Sequence, residues 1–214
     1  MNILNEGYRN TKHLFIKGYG PKIFDENNKK FFDLTSAGGT SLLGHNNKIF
    51  RNSIKNFLKK KYSNFALPNG HAKNLSFNLR KIFPKFSKFI FCNSGAEANM
   101  KAIRIARAVT RRDKIINITG SWHGSIDQFL FSINNKGKKI SLSSGLEKKI
   151  EDKIIYAPYN DLKKTKKIIN KHKNQICCVI IEPIQGCLPS DENITYLLSL
   201  SEFCKKKKNY FNIG

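Results

Sequence analysis

A polar turn, Asn93-Ser94-Gly95-Ala96, directly follows an apolar run and precedes a helical pattern. In an α/β fold, anions bind at helix N-termini that follow the carboxyl ends of strands. Gly95 would let backbone N–H groups approach an anion closely, and Ser94 would add a hydroxyl group. The same residues suit an ordinary N-cap, in which Ser94 or Asn93 accepts hydrogen bonds from free helix N–H groups. The turn alone favours the cap, and it matches neither GxxxxGK[ST] nor GxGxxG.

Two further polar stretches follow later apolar runs. The loop Gly120–Gly124 contains Trp122, the single tryptophan of the chain, followed by His123. A flat ligand could therefore stack on an indole beside an imidazole; the alternative is that Trp122 is a core aromatic. Glu182 comes directly after a continuous apolar run. Because burying a carboxylate is costly unless it is paired, Glu182 is a candidate for a ligand site.

The segments around these turns alternate between strand and helix patterns. Short apolar runs predict strands at residues 88–92, 114–118, 154–157, 176–181 and 210–213. Helical spacing of apolar residues predicts helices at 49–58, 72–82, 98–109, 162–169 and 195–204. Residues 15–34 predict two short strands around a turn, and a Gly-rich loop follows them. This alternation predicts an α/β fold with a mainly parallel sheet and flanking helices.

The composition is that of a globular protein, with 214 residues of which 40% are hydrophobic. The net charge of +24 suggests a nucleic-acid partner, because a basic surface attracts phosphate backbones. The lysines are spread along the whole chain without a binding motif, so we interpret the charge as compositional bias, with a polyanion partner as the alternative. The five cysteines show no metal-ligand spacing. We expect reduced thiols, a cytoplasmic location, no metal and no membrane segment.

Taken in order, these motifs resemble the class III (fold type I) pyridoxal-phosphate aminotransferases, in particular the branch that contains glutamate-1-semialdehyde 2,1-aminomutase. The family pattern can be followed through NSGAEANMKAIRIARAVTRRDKIINITGSWHG, LSSGLEKKIEDKIIYAPYNDL and IIEPIQG. Upstream, GPKIFDENNKKFFDLTSAGGTSLLGHN resembles the family's N-terminal strand pair and substrate-side loop. The resemblance implies the large domain of that fold, incomplete, together with an N-terminal small-lobe segment. It divides the chain into an N-terminal segment, 1–60, and the first part of the cofactor-binding domain, 61–214.

The resemblance also implies a cofactor, pyridoxal 5'-phosphate (PLP). The implied cofactor-binding residues are Ser94, Gly95, Ala96, Trp122, His123 and Glu182. The backbone of the first three would hold the phosphate. Trp122 would stack on the pyridine ring with His123 beside it, and Glu182 would belong to the polar network around the ring. The implied partners are a small-molecule amino donor, a carbonyl acceptor and a second subunit in a homodimer.

Three positions depart from the aminomutase pattern. Gly38 stands where that enzyme usually has Trp, Cys187 where it has Asn, and Trp122 where it has Tyr. All three lie where the family contacts substrate and ring. We therefore expect amino transfer between another donor and acceptor, with aminomutase-type intramolecular transfer as the alternative.

The family's Schiff-base lysine and the carboxylate at the pyridine nitrogen follow the strand that begins here at Tyr210. We therefore name no catalytic residue. We expect the chain as given to be catalytically incomplete, truncated and poorly stable. A non-catalytic truncated relic is the remaining alternative.

Overall fold

The computed structural model describes residues 13–60, 67–190 and 193–206, and the backbone of residues 211–213. The Cα positions cluster in two compact units, Met1–Ile82 and Phe83–Gly214. The division into domains at residue 60 stays a prediction. No helix in the described ranges is both long and apolar enough to cross a membrane.

The first unit contains a small antiparallel sheet and two longer helices. Its elements are β1 (Phe15–Tyr19), β2 (Lys22–Asp25), β3 (Lys30–Phe32), α1 (Ser36–Gly39), α2 (Lys48–Lys59) and α3 (Gly70–Ile82). The sheet order is β1-β2-β3. The predicted strand pair is β2 and β3, and β1 adds a third strand that pairs with β2. The buried carboxylate of Asp25 closes the β2–β3 turn by accepting the N–H groups of Asn27 at 3.0 Å and Lys29 at 2.8 Å.

The short element α1 is a left-handed turn rather than a regular helix. Ser36 and Ala37 have φ values of 48° and 53°, in the left-handed region that residues other than glycine rarely adopt. The Asp33 carboxylate supports this turn by accepting the N–H groups of Thr35 and Ser36, each at 3.0 Å. The His45 ring donates to Asp33 from Nε2 at 2.8 Å. Hydrogen bonds from the Thr35 hydroxyl and then from His45 hold the pKa of Asp33 well below its usual range.

The second unit is an α/β layer structure around a parallel sheet. Its α-helices and strands are α4 (Gly95–Thr110), β4 (Lys114–Ile118), β5 (Phe131–Ile133), β6 (Lys139–Ser141), β7 (Ile154–Ala157), α5 (Leu162–Lys171), β8 (Ile176–Ile180), α6 (Ile194–Lys206) and β9 (Phe211–Ile213). The main sheet has the order β7-β4-β8-β9, and every neighbouring pair is parallel. β5 and β6 form a separate antiparallel pair. The predicted α/β class is confirmed.

Both faces of the parallel sheet are covered. On one face, α5 and α6 pack Ile169 and Leu200 against the sheet. On the other face, α4 packs Ile103 and Ala106, with Phe129 beside them. β8 is buried along its whole length, as its continuous apolar sequence predicts.

One predicted strand is wrong. Lys88–Cys92 forms no strand, and Ile90 and Phe91 are exposed to 62% and 44%. A strand exists only where a neighbour completes its hydrogen-bond ladder, and no strand within the described ranges pairs with this segment. The last predicted strand is present as Phe211–Ile213, and Tyr210 lies outside the described residues.

Candidate functional site

The N-terminus of α4 begins with a variant of the capping box, in which the glutamate binds the N–H of the residue before the N-cap. Ser94 is the N-cap, and its Oγ accepts the N–H of Glu97 at 3.2 Å. Oε2 of Glu97 in turn accepts the N–H of Asn93 at 2.9 Å. The N-cap interpretation of this turn is confirmed. This cap leaves the N–H groups of Gly95 and Ala96 without an acceptor inside the helix, as in the first turn of any α-helix.

The loop after β4 lies against this first turn. Gly124 has a φ of +89°, and a Cβ added to it would lie 2.7 Å from the Cβ of Ala96. Nδ2 of Asn99, one turn along α4, donates to the carbonyl oxygen of His123 at 3.0 Å. These two contacts bring Trp122 and His123 to the N-terminus of α4.

Glu182 joins the loop after β8 to the loop after β4. Its Oε2 accepts the N–H of Trp122 at 3.0 Å, and its Oε1 accepts the N–H of Gly186 at 3.1 Å. Its own N–H donates to Oγ of Ser121 at 3.2 Å. The half-buried carboxylate is thus compensated by backbone donors, as a strand-end glutamate requires.

Trp122 and His123 are neighbours in sequence with opposite environments. The Trp122 side chain is 62% exposed, so the alternative of a core aromatic is wrong. The His123 imidazole is buried, lies 5.0 Å from the Phe129 ring and donates from Nε2 to Oδ1 of Asn117 at 3.2 Å. Burial lowers the pKa of His123 to about 4, against the opposing charge of Glu182. His123 is therefore neutral at pH 7.

Two buried polar residues that were not predicted from the sequence hold these loops. Asn117 lies within the apolar strand β4 and binds His123. Gln185 donates from Nε2 to the carbonyl oxygen of Thr119 at 2.7 Å. Gly120, at a φ of +85°, leaves room for it, because an added Cβ would lie 2.7 Å from Oε1 of Gln185. An amide inside an apolar strand is a signal that could have revealed Asn117.

Two of the three positions that depart from the aminomutase pattern lie in these loops. Trp122 is one, and Cys187, whose thiol contacts the carbonyl oxygen of Gly120 at 3.4 Å, is the other. Gly38 belongs to the first unit. Asp161 ends the Tyr-Asn-Asp triplet of the stretch that resembles the family pattern, and it caps α5 by accepting the N–H of Lys164 at 2.9 Å.

The N-terminus of α4 meets the loops after β4 and β8 at a junction that suits a flat molecule with an anionic group. The free N–H groups and dipole of α4 attract an anion. A Cβ added to Gly95 would meet no heavy atom of the described residues within 4 Å, so the turn is open. The exposed indole of Trp122 offers a stacking surface.

Comparison with known proteins finds a family model and relatives that agree with one another. A family model described as aminotransferase class-III matches residues 3–213. The glutamate-1-semialdehyde 2,1-aminomutase of Wigglesworthia glossinidia brevipalpis is 36% identical over 194 residues, which is 87% of this chain and 44% of that protein. The enzyme of the same name from Thermodesulfovibrio yellowstonii is 35% identical over 191 residues, 86% of this chain and 44% of that protein.

Solved structures agree in fold. An omega-transaminase from Sphaerobacter thermophilus has a TM-score of 0.82 at 24% identity, covering 97% of this chain and 49% of that chain. A glutamate-1-semialdehyde aminomutase from Pseudomonas aeruginosa PAO1 has a TM-score of 0.74 at 18% identity, covering 89% of this chain and 42% of that chain. The chain thus spans about half the length of the relatives it matches.

Proposed function

This chain belongs to the class-III aminotransferase family, and from that membership we propose that the protein serves PLP-dependent amino transfer between an amino acid and a carbonyl compound. The observation that carries the proposal is the junction of the α4 N-terminus with the loops after β4 and β8. Relatives about twice as long bear the family's activity, so the proposal concerns the whole protein. This chain would contribute the phosphate-binding and ring-stacking part of the site.

The residues present fit PLP in their chemistry. When bound, PLP would supply an electron sink for the carbon that carries the amino group. The N–H groups of Gly95 and Ala96 would bind the phosphate, with Ser94 fixing the start of the helix. Trp122 would stack on the ring.

Glu182 would act as a positioning residue. Both of its carboxylate oxygens already accept backbone N–H groups, one of them from Trp122. It therefore orients the loop that carries the indole. His123, neutral and bonded to Asn117, would hold the same loop from the buried side.

We assign no catalytic lysine. Among the described lysines, Lys139 has a pKa lowered by burial, as a Schiff-base lysine requires. Lys139 lies on β6, and its ammonium group donates to the carbonyl oxygen of Glu151. It therefore belongs to the β5–β6 pair rather than to the loops after β4 and β8.

A second candidate is intramolecular amino transfer of the aminomutase type. It is favoured by the name that the first curated relatives share, at 35–36% identity. Trp122, Cys187 and Gly38, which depart from the aminomutase pattern, favour another donor and acceptor instead. By family membership we further propose small-molecule substrates, a homodimer and a cytoplasmic location.

The test is a titration of the purified chain with pyridoxamine 5'-phosphate, read by the fluorescence of Trp122. This ligand has no aldehyde, so it cannot react with the many lysines. We expect quenching that saturates, that inorganic phosphate reverses, and that unphosphorylated pyridoxamine does not produce. The single tryptophan makes the signal specific to this loop.

Two variants of equal charge change sharpen the test. Gly95→Asp places a carboxylate where the phosphate would bind, and a carboxylate in the first turn suits the helix dipole, so the fold should persist. We expect it to weaken binding at least about tenfold by charge repulsion. Ala108→Asp, far along α4, should bind normally. Equal binding by both variants, or no saturable quenching, would refute the proposal.

A further inference from the structure

The strand β8 contains a bulge that involves its two cysteines. Lys114 of β4 pairs with Ile176, but the next residue, Ile115, pairs with Cys178. Cys177 is therefore the extra residue of β8. Side chains in a regular strand alternate between faces, so without the bulge the two cysteines would point to opposite faces.

The bulge places both thiols on the face covered by α4. Cys177 and Cys178 belong to the same buried cluster as Ile103 and Ala106. Both cysteines are fully buried, and their sulfur atoms are 3.7 Å apart. The contact between the sulfurs lowers the pKa of Cys177 and raises that of Cys178, and the charge of Arg107 favours the thiolate.

A cavity of about 480 Å³ runs along α4 on the same side of the sheet. Ile103 and Arg107 line it together with Gln128. Ile103 also packs in the cluster that contains the two cysteines. Ile103 is thus common to the cavity lining and to the buried cluster that contains the thiols.

Oxidation of this pair to a disulfide is disfavoured by geometry. Adjacent residues joined by a trans peptide have Cα atoms about 3.8 Å apart, below the range of about 4.4–6.8 Å usual for disulfides. The described residues contain no cis peptide. An atom that bonds to both sulfurs avoids this constraint, because the sulfurs need not approach to bonding distance.

We propose that Cys177 and Cys178 form a vicinal dithiol site that binds a trivalent organoarsenical through both sulfurs, reached from the cavity along α4. With phenylarsine oxide, two S–H bonds break and two As–S bonds form. The oxygen of the reagent leaves with the two protons as water, and arsenic keeps its oxidation state. The site is independent of the proposed amino transfer.

The test uses the 214-residue protein with Cys92 and Cys187, the more accessible thiols, changed to Ser. Mass spectrometry of the intact protein after phenylarsine oxide should show one adduct under native conditions. The adduct should survive 2-mercaptoethanol and be removed by 1,2-ethanedithiol, as a two-sulfur adduct is. Cys177→Ser and Cys178→Ser should each abolish it, whereas Cys204→Ser, which removes a buried single thiol, should not.

A pair of size-matched variants tests the route and keeps both sulfurs. Ile103→Ala shortens a side chain shared by the cavity lining and the cluster of the thiols, and Leu200→Ala shortens a buried aliphatic side chain on the opposite face. We expect Ile103→Ala to speed adduct formation several-fold more than Leu200→Ala. Equal acceleration would show that the thiols react only after global unfolding, and would overturn the proposal. So would an adduct that persists in Cys177→Ser, or one that forms only in urea.

Discussion

Gly124 and Ala96 touch with no room for a side chain, because a Cβ on Gly124 would lie 2.7 Å from the Cβ of Ala96. This contact sets the loop after β4 against the first turn of α4. Gly124→Ala should therefore impose both a steric clash and a left-handed backbone on alanine. We expect the free energy of unfolding in urea to fall by about 2–4 kcal/mol.

Gly137→Ala is the matched control. Gly137 has a φ of +74°, but an added Cβ would meet no described heavy atom within 4 Å. This variant should lose only the backbone contribution, about 1–2 kcal/mol. Trp122 emission, next to Gly124, should change in Gly124→Ala and not in Gly137→Ala. Equal losses of stability with unchanged emission would contradict the contact.

The buried imidazole of His123 makes stability depend on pH. Its pKa is about 4 in the folded chain, below the ordinary value of 6.5. The unfolded chain therefore binds a proton more readily between these values, and stability must fall as pH falls through that window. Between pH 7 and pH 5, His123 should account for a loss of about 2 kcal/mol in the free energy of unfolding.

Urea unfolding at the two pH values measures this loss. His123→Gln should show a smaller pH dependence than both the parent protein and His172→Gln, the same change at the C-terminal end of α5. The NMR signals of His123 should report a neutral ring at pH 5.5. A midpoint near 6.5 for those signals would contradict the burial argument.

Asn117 provides a way to change that titration. Replacing its amide by a carboxylate in Asn117→Asp would place a negative charge at the hydrogen bond to Nε2 of His123. An adjacent opposite charge favours the imidazolium, so the pKa of His123 should rise by at least about one unit. Asn193→Asp, at another buried amide, should leave it near 4. An NMR titration that finds no difference between the two variants would show that Asn117 does not contact the ring.

The elements that the sequence predicted are those recorded in local patterns. The run ICCVII predicted β8, and the spacing of apolar residues from Ala98 to Val109 predicted α4. Both predictions succeed because the spacing of apolar residues along the chain shows which face of an element is buried. Lys88–Cys92 has the same local pattern as a strand, yet forms none. A strand depends on a neighbour that its own residues do not specify.

The features that the sequence could not predict depend on contacts between distant segments. The bulge at Cys177 exists only relative to the register of β4. The burial of His123 beside the exposed Trp122 depends on Asn117 and Phe129, which no spacing rule links to a histidine. The Ser94 turn was identified because its cap is local, with all partners within four residues.

Ala37 offers a test of backbone strain in the first unit. It has φ 53° and ψ 48°, and the Asp33 carboxylate contacts its N–H at 3.3 Å. Glycine adopts this conformation without steric cost, so Ala37→Gly should stabilise the unit by about 0.5–1 kcal/mol after the entropy of the unfolded chain is counted. The same substitution inside α4, Ala108→Gly, should cost about 1 kcal/mol, because glycine disfavours a right-handed helix.

Hydrogen exchange read by mass spectrometry can follow the two sites separately in one protein. Peptides that cover residues 33–45 should exchange more slowly in Ala37→Gly, and peptides that cover α4 should exchange faster in Ala108→Gly. Both substitutions remove one methyl group, so the test depends on the opposite directions of the two changes in exchange rate rather than on their size. Faster exchange in both variants, each at its own site, would show that the left-handed turn carries no strain. The Asp33 hydrogen bonds would then have no strain to offset.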